Sequence, residues 1–225
     1  MQENIWEREY RNPQLISLGT DAIQSVKDWV RMLRCEKGVV FSGLRILDLG
    51  CGNGKNSIYI AEQGDNNHIE GIDISKTAVE LASKTFPAGH FVQGSIGKAL
   101  PFPDAHFDIV LDVTSSNSLN ESEREIYLNE THRIFKPGGH FFLRALSKDG
   151  DSNAKNLLKT NPGKEKDTYI MPELGLTERV FTKEDLVEMY SKFFTITQIE
   201  KEVHYTKFNN RSYKRHFWVV WMERK

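Results

Sequence analysis

The run Ile46-Leu47-Asp48-Leu49-Gly50-Cys51-Gly52-Asn53-Gly54-Lys55-Asn56-Ser57 gathers the residue types that bring a main chain up against a ligand. A short apolar strand leads through an acidic residue into a glycine-spaced turn and then a helix. Only glycine lets a backbone turn tightly and approach a ligand with no Cβ in the way. Asp48 narrows the ligand, because a carboxylate at the mouth of such a loop repels a pyrophosphate and attracts a cation such as a sulfonium carrying an ammonium group. Gly50, Gly52 and Gly54 follow G-x-G-x-G, and Lys55-Asn56-Ser57 leaves the dinucleotide pattern G-x-G-x-x-G incomplete. The Walker pattern is absent. The loop predicts a nucleotide-like ligand without a diphosphate.

Around this loop, strand and helix signals alternate. Arg45–Leu49 reads as a strand, and 57–63 as a helix closed by Gly64 at its C′ position. A second strand is expected over 69–74, followed by Ser75 as an N-cap and a helix through Lys84. His90–Gln93 and 107–111 read as further strands, with an amphipathic helix over 122–135. Lys136-Pro137-Gly138-Gly139 is expected to stop that helix and turn into a strand over 140–146. Such alternation predicts parallel βαβ units, hence an α/β fold with a doubly wound sheet. Ahead of it, Val26, Trp29, Val30 and Leu33 fall on one helical face. Residues 147–176 read as a long polar loop or small lid. Thr182 with acidic Asp185 at N3 opens a helix through Phe193. Two late strands, 195–203 and 216–222, form an antiparallel pair.

One domain is expected over 1–225, because 225 residues suit a single well-buried core. It divides into an N-terminal helical cap (1–40), a ligand-binding core (41–146), a lid or substrate-covering insertion (147–181), and a C-terminal helix with the strand pair (182–225). A net charge of −1 offers no overall footprint for nucleic acid or an anionic membrane. Cys35 and Cys51, the only two cysteines, form neither a metal pattern nor a disulfide framework, so a reducing compartment is expected. The N-terminus has no signal-peptide pattern, and no stretch approaches the ~20 apolar residues of a membrane span. These features predict a cytoplasmic chain, monomer or homodimer.

Taken together, four segments resemble the class I S-adenosylmethionine-dependent methyltransferases over roughly residues 40–225. Asp48–Gly54 is similar to that family's glycine-rich first motif, and Gly71-Ile72-Asp73-Ile74-Ser75 to its second. Leu100–Asp104 with Phe107–Val110 is similar to the run into strand four, and Arg133–Gly139 to the turn into strand five. The wording of residues 52–57 is similar to small-molecule enzymes of the tellurite-resistance and thiol-methylating kind. The resemblance implies a Rossmann-like, mostly parallel sheet with an antiparallel C-terminal strand and helices on both faces. It also implies S-adenosyl-L-methionine as methyl donor, S-adenosyl-L-homocysteine as product, and a small-molecule acceptor.

On this reading the cofactor is held by Asp48, Gly50, Cys51, Gly52, Asn53, Gly54 and Asn56 of the loop, together with Asp73 and Ile74. Asp73, at a strand end, can accept two hydrogen bonds from a ribose diol. Ser95 stands where the family usually has an acidic residue facing the adenine amino group, and Ile96 can pack on the adenine face. Cys51 fits as a small loop residue rather than a nucleophile, since methyl transfer needs no covalent enzyme intermediate. Cys35 is expected to be a buried or half-exposed structural thiol. Trp6 and Tyr10, one helical turn apart, either form part of a lid over the cofactor, with Tyr10 among the residues that bind it, or dock an aromatic face on the core.

At the end of strand four, Asp112 and Val113 lie near the expected methyl group. Asp112 could bind or orient the substrate, act as a base, or support the methionine part of the cofactor. Arg144 could pair with an anionic substrate group or with Asp112, or form a plain structural ion pair; as a cation it also disfavours a metal site there. With no histidine base and no metal site in view, a sulfur or nitrogen nucleophile is preferred. The basic stretch 209–216, with Tyr205, Phe208 and Tyr213 nearby, could line a substrate mouth, touch phosphate or be a solvated turn. A nucleic-acid substrate is disfavoured, because the [Asp/Asn]-Pro-Pro-[Tyr/Phe] signature is missing. Two alternatives stay open: a methyltransferase acting on RNA or protein, and a binding module that keeps the cofactor pocket without chemistry.

Overall fold

The computed structural model describes residues 2–208 and 211–225. Its core is a seven-stranded sheet built from β1 (Arg45–Leu49), β2 (His68–Asp73), β3 (His90–Gln93), β4 (Phe107–Val113), β5 (Phe135–Leu146), β8 (Phe194–Phe208) and β9 (Arg211–Arg224). The spatial order is β3-β2-β1-β4-β5-β9-β8. The first five strands pair in parallel, and β9 runs antiparallel to both neighbours.

Alternation along β5 divides the apolar residues between two cores. Phe141 joins Tyr127, Leu186, Tyr190 and Phe194 on one face, under α5 (Glu121–Ile134) and α7 (Lys183–Tyr190). Phe142 meets Trp29 on the other face at 5.3 Å between ring centroids, under α2 (Gln24–Cys35), α3 (Lys55–Ala61) and α4 (Lys76–Thr85). The expected helical face of Val26, Trp29, Val30 and Leu33 is fully buried there. The expected caps form as well. Ser75 accepts from Ala78 N at 3.2 Å, and Thr182 makes a complete capping box with Asp185.

Several local expectations need correction. α3 ends at Ala61, and Gly64 does not close it in the left-handed region. Gly64 is there for room: a Cβ would lie 1.7 Å from Phe41 O. α5 gives way directly to β5 at Phe135, so Lys136–Gly139 is a bulge inside the strand, with Gly138 at φ +74°, rather than a turn before it. α7 stops at Tyr190, short of Phe193. Cys35 is exposed and Cys51 buried.

The largest correction concerns the long polar loop. It contains α6 (Ser152–Thr160) and a hairpin of β6 (Thr168–Ile170) with β7 (Thr177–Arg179). These build a third apolar cluster from Leu146, Ala154, Tyr169, Met171, Leu176 and Phe217, against which Ile5 and Trp6 of α1 (Gln2–Arg11) also pack. Asp151 caps α6 by accepting from Ala154 N at 2.8 Å, and its other oxygen takes His216 N at 3.0 Å.

Candidate functional site

Strand order reverses between β1 and β4, and the crevice beyond the carboxyl ends of such strands is where an open α/β sheet receives ligands. A cavity of about 770 Å³, open solvent at its mouth included, lies there. The glycine loop after β1 supplies one wall. Gly50 (φ +73°) and Cys51 donate their N–H groups to Ile72 O at 2.8 and 3.0 Å, which ties the loop to β2. The segment after β4 supplies the opposite wall. There Thr114 adopts φ +63°, a strained conformation for a β-branched residue, with its N–H bonded to Arg144 O at 2.8 Å. Ser115 packs beside Gly50, and its hydroxyl lies 2.5 Å from Leu49 O and 2.6 Å from Asp112 Oδ1.

α1 roofs the cavity with Gln2, Trp6 and Tyr10. It is held down by Glu7, whose carboxylate accepts from Ser75 Oγ at 2.7 Å, Thr77 Oγ1 at 2.7 Å and Thr77 N at 3.1 Å. Partial desolvation would push Glu7 up, but these bonds and Arg11 bring it down to about 2. The Tyr10 hydroxyl sits directly over Gly52, 2.6 Å from where a Cβ would be. Trp6 satisfies both expectations at once, lining the cavity and packing on the third cluster.

Asp73 closes the far side. Its Oδ2 accepts from Gly52 N and its Oδ1 from Ser75 N, both at 2.9 Å. A carboxylate has about four lone-pair positions, so each oxygen keeps capacity for a further donor. Burial pushes Asp73 up to about 6, against the pull of those two backbone bonds. Burial likewise pushes Asp48 up to about 7, opposed by Ser57 and reinforced by Asp112 and Asp73. Asp48 Oδ2 is buried with no hydrogen-bond partner. Among the described residues none of these three carboxylates has a basic partner within ion-pair distance, so the ground beneath the loop is negative and suits a cation.

This has a measurable consequence. The ordinary carboxylate value for Asp48 is 3.8 and the folded value about 7, so the folded chain holds the extra proton between them. Its contribution to stability is therefore greatest at low pH and falls as pH rises through that window, by up to about 4 kcal/mol. Asp48→Asn is expected to remove this falling limb, so that the variant gains on wild type from pH 4 to pH 7. Thermal melts across that range check it; parallel curves would contradict it.

Of the residues predicted to hold the cofactor, Tyr10, Gly50, Asp73, Ile74, Ser95, Ile96 and Val113 line the cavity. Asp48 lies beneath it. Cys51, Gly52 and Gly54 shape the loop from behind, and burial raises the Cys51 thiol well above its ordinary value, unsuited to a nucleophile. The loop asparagines face the N-terminal segment instead: Asn53 Nδ2 donates to Gly19 O at 3.1 Å, and Asn56 Oδ1 accepts from Ile23 N at 3.1 Å.

The structure places both catalytic candidates in bonded networks. Asp112 is fully buried, with Oδ1 taking Ser115 N at 3.0 Å and Ser116 N at 3.3 Å besides the Ser115 hydroxyl, and Oδ2 taking Tyr127 Oη at 2.7 Å. It pins the segment after β4 and is occupied by these donors. Arg144 pairs with Glu202 at 2.9 Å and stacks on Phe217 at 3.4 Å, away from the cavity. Its structural ion pair is the alternative the structure realises. In the basic stretch 209–216, Asn209 and Asn210 lie outside the described residues, as do the side chains of Phe208 and Arg211.

Sequence reading missed Gln2, Ile16, Gly94, Ser118, Leu119 and Glu123, all in the lining. Glu123 carried a legible signal, since Asn120 and Glu123 form a capping box at the start of α5.

Comparison with known proteins agrees with this geometry. Residues 46–139 match a family model described as a methyltransferase domain. An uncharacterized methyltransferase of Synechocystis sp. is 32% identical over 111 residues, 49% of this chain and 51% of the relative. A fatty-acid O-methyltransferase of Mycolicibacterium smegmatis is 36% identical over 101 residues, 44% of this chain and 36% of the relative. The chain thus spans about half or less of the length of these curated relatives. A solved SAM-dependent methyltransferase from Methanosarcina mazei shares the fold at a TM-score of 0.72, with 22% identity over 91% of this chain and 98% of its own. The matched methyltransferase domain spans the glycine loop, the Asp73 strand and β4, and the sheet around it has the fold of the solved SAM-dependent methyltransferase.

Proposed function

We propose that this chain transfers a methyl group from S-adenosylmethionine to a small-molecule acceptor, releasing S-adenosylhomocysteine. The observation that carries the reading is the switch-point cavity, where Gly50, Asp73, Ser95 and Ile96 converge beside the buried carboxylates of Asp48 and Asp112. These residues fit the cofactor. Asp73 keeps an acceptor position on each oxygen for the ribose hydroxyls. Ile74 and Ile96 offer apolar walls to the adenine. Ser95 Oγ already accepts from Gly97 N at 3.1 Å and retains its own proton to donate. Asp48, with its unpartnered oxygen, supplies negative potential for the cationic end. When bound, the sulfonium supplies an electrophilic methyl group for in-line displacement.

The chain's own work is alignment and exclusion of water. α1 covers the cavity with Trp6 and Tyr10, and the Asp112 network holds the β4 segment in its strained course. Among the described lining residues there is no histidine, and Asp112 is already engaged. This favours an acceptor that needs no base to activate it, such as sulfur or nitrogen. A carboxylate oxygen, the acceptor kind named for the Mycolicibacterium relative, also arrives deprotonated. The segment 147–181 walls the acceptor side, and the free thiols of Cys35 and Cys51 support a cytoplasmic setting.

Mass spectrometry of reactions with S-adenosylmethionine and a panel of thiols, amines and carboxylates should show a methyl gain in one class. Tight binding of S-adenosylhomocysteine with no product anywhere on the panel would favour the non-catalytic module.

A further inference from the structure

Beside the roofed cavity, and sharing Gln2, Ser95, Ser118 and Glu123 with it, opens a wider cleft whose far wall comes from the α6–β7 segment. Arg179, on β7, lines this cleft and is nine-tenths buried. Its side chain makes no hydrogen bond or ion pair to any other described residue, and its Nε is buried without a partner. Its guanidinium lies 5.2 Å from the Phe181 ring centroid, while that of Arg124 lies 5.0 Å from the same ring. Arg124 donates from its two terminal nitrogens to Ser116 O and Leu119 O while its Nε is also buried without a partner, and burial, with Arg179 adding to it, lowers Arg124 to about 10. Two buried guanidiniums thus flank one ring, and Arg179 has no counter-ion among the described residues to offset its desolvation.

The rest of the cleft points the same way. Lys98 and Lys164 stand exposed on it with no carboxylate within ion-pair distance among the described residues. The cleft's carboxylates, which keep their charge, are each anchored by a neutral donor: Glu123 accepts from Asn120 N at 3.0 Å, Glu165 from Glu121 N at 3.0 Å, and Glu3 from Gln93 Nε2 at 3.4 Å. We infer that Arg179 is a specificity-determining residue that receives an oxyanion group, carboxylate or phosphate, on the methyl acceptor, with Lys98 and Lys164 steering it in. The guanidinium fork matches both anions bidentately. The inference rests on the proposed methyl transfer for calling the ligand an acceptor, but its test does not depend on turnover.

The test is titration of the full chain with 3-phenylpropionate, phenyl phosphate and neutral 3-phenylpropionamide. Calorimetry reports affinity, and the Arg179 Nε–Hε resonance reports the contact. One or both anions should bind, shift that resonance and outcompete the amide; which anion is tighter distinguishes the two sources. Arg179→Gln should weaken anion binding about thirty-fold or more, and Arg179→Lys should recover part of it. Lys98→Gln and Lys164→Gln, on exposed sites that folding tolerates, should each weaken it several-fold and reduce its salt dependence. Equal binding of the amide, or unchanged anion binding in Arg179→Gln, overturns the inference. S-adenosylhomocysteine is titrated separately and should bind wild type and Arg179→Gln alike; its failure to bind wild type would sink the donor assignment, while the anion titration still reports on Arg179.

Discussion

Replacing Asp73 with alanine is expected to weaken S-adenosylhomocysteine binding by about 100-fold or more. Hydrogen bonds to a charged acceptor contribute about 1.5–3 kcal/mol each, and this carboxylate offers a position on each oxygen to the ligand. The loss is compounded because the same oxygens position Gly52 N–H and Ser75 N–H at 2.9 Å. Without them the glycine loop loses one of its ties to β2 and the cap of α4 loses an anchor. Asp73→Asn separates the two roles, since its single carbonyl oxygen can retain one of the backbone bonds while the charge is lost. Calorimetric affinity should fall in the order wild type, asparagine, alanine. An alanine variant that binds as tightly as wild type would remove the basis for placing the ribose there.

The second large effect is expected at Gly50. A Cβ there would lie 2.2 Å from Ser115 Cβ and 2.9 Å from Ser115 Oγ, in a residue at φ +73°. Alanine therefore meets two costs. The left-handed backbone costs about 1–2 kcal/mol, and displacing Ser115 breaks its bonds to Leu49 O and Asp112. Together these should lower unfolding free energy by about 3–4 kcal/mol and abolish cofactor binding. Gly138 is the natural control, at φ +74° with nothing within 4 Å of its virtual Cβ. Gly138→Ala should show the backbone cost alone. If denaturant melts give equal losses for the two variants, the contact between Gly50 and Ser115 does not shape the site.

The donor side of the fold was legible because its signals are local. Asp73 ends an apolar run and is followed two residues later by a capping serine, so both strand end and helix start appear within a few residues. Asp112 presents the same local pattern, an apolar run ending in an acid, yet its fate is decided by Tyr127 on α5 and by amides folded back over it. No local window contains that information. Arg144 was likewise settled by Glu202, 58 residues later, across the antiparallel end of the sheet. In the stretch 147–181 the elements are too short for periodicity to register, with three-residue strands and a nine-residue polar helix. Its stabilising contacts come from elsewhere: Asp151 receives His216 N and the Arg215 guanidinium, both from β9.

The family match ends at residue 139, while the cleft wall carrying Lys164, Glu165 and Arg179 begins after it. On the proposed reading, Asp73 and the glycine loop lie within the matched stretch and Arg179 lies beyond it. An acceptor name carried over from a relative along the matched stretch does not include Arg179, the residue proposed to receive the acceptor's oxyanion. The same division makes the α6–β7 segment a unit for grafting. Exchanged between chains of this fold together with its apolar partner Phe217 on β9, and with Trp6 of α1 left in place, it should carry the Arg179 side of acceptor choice with it.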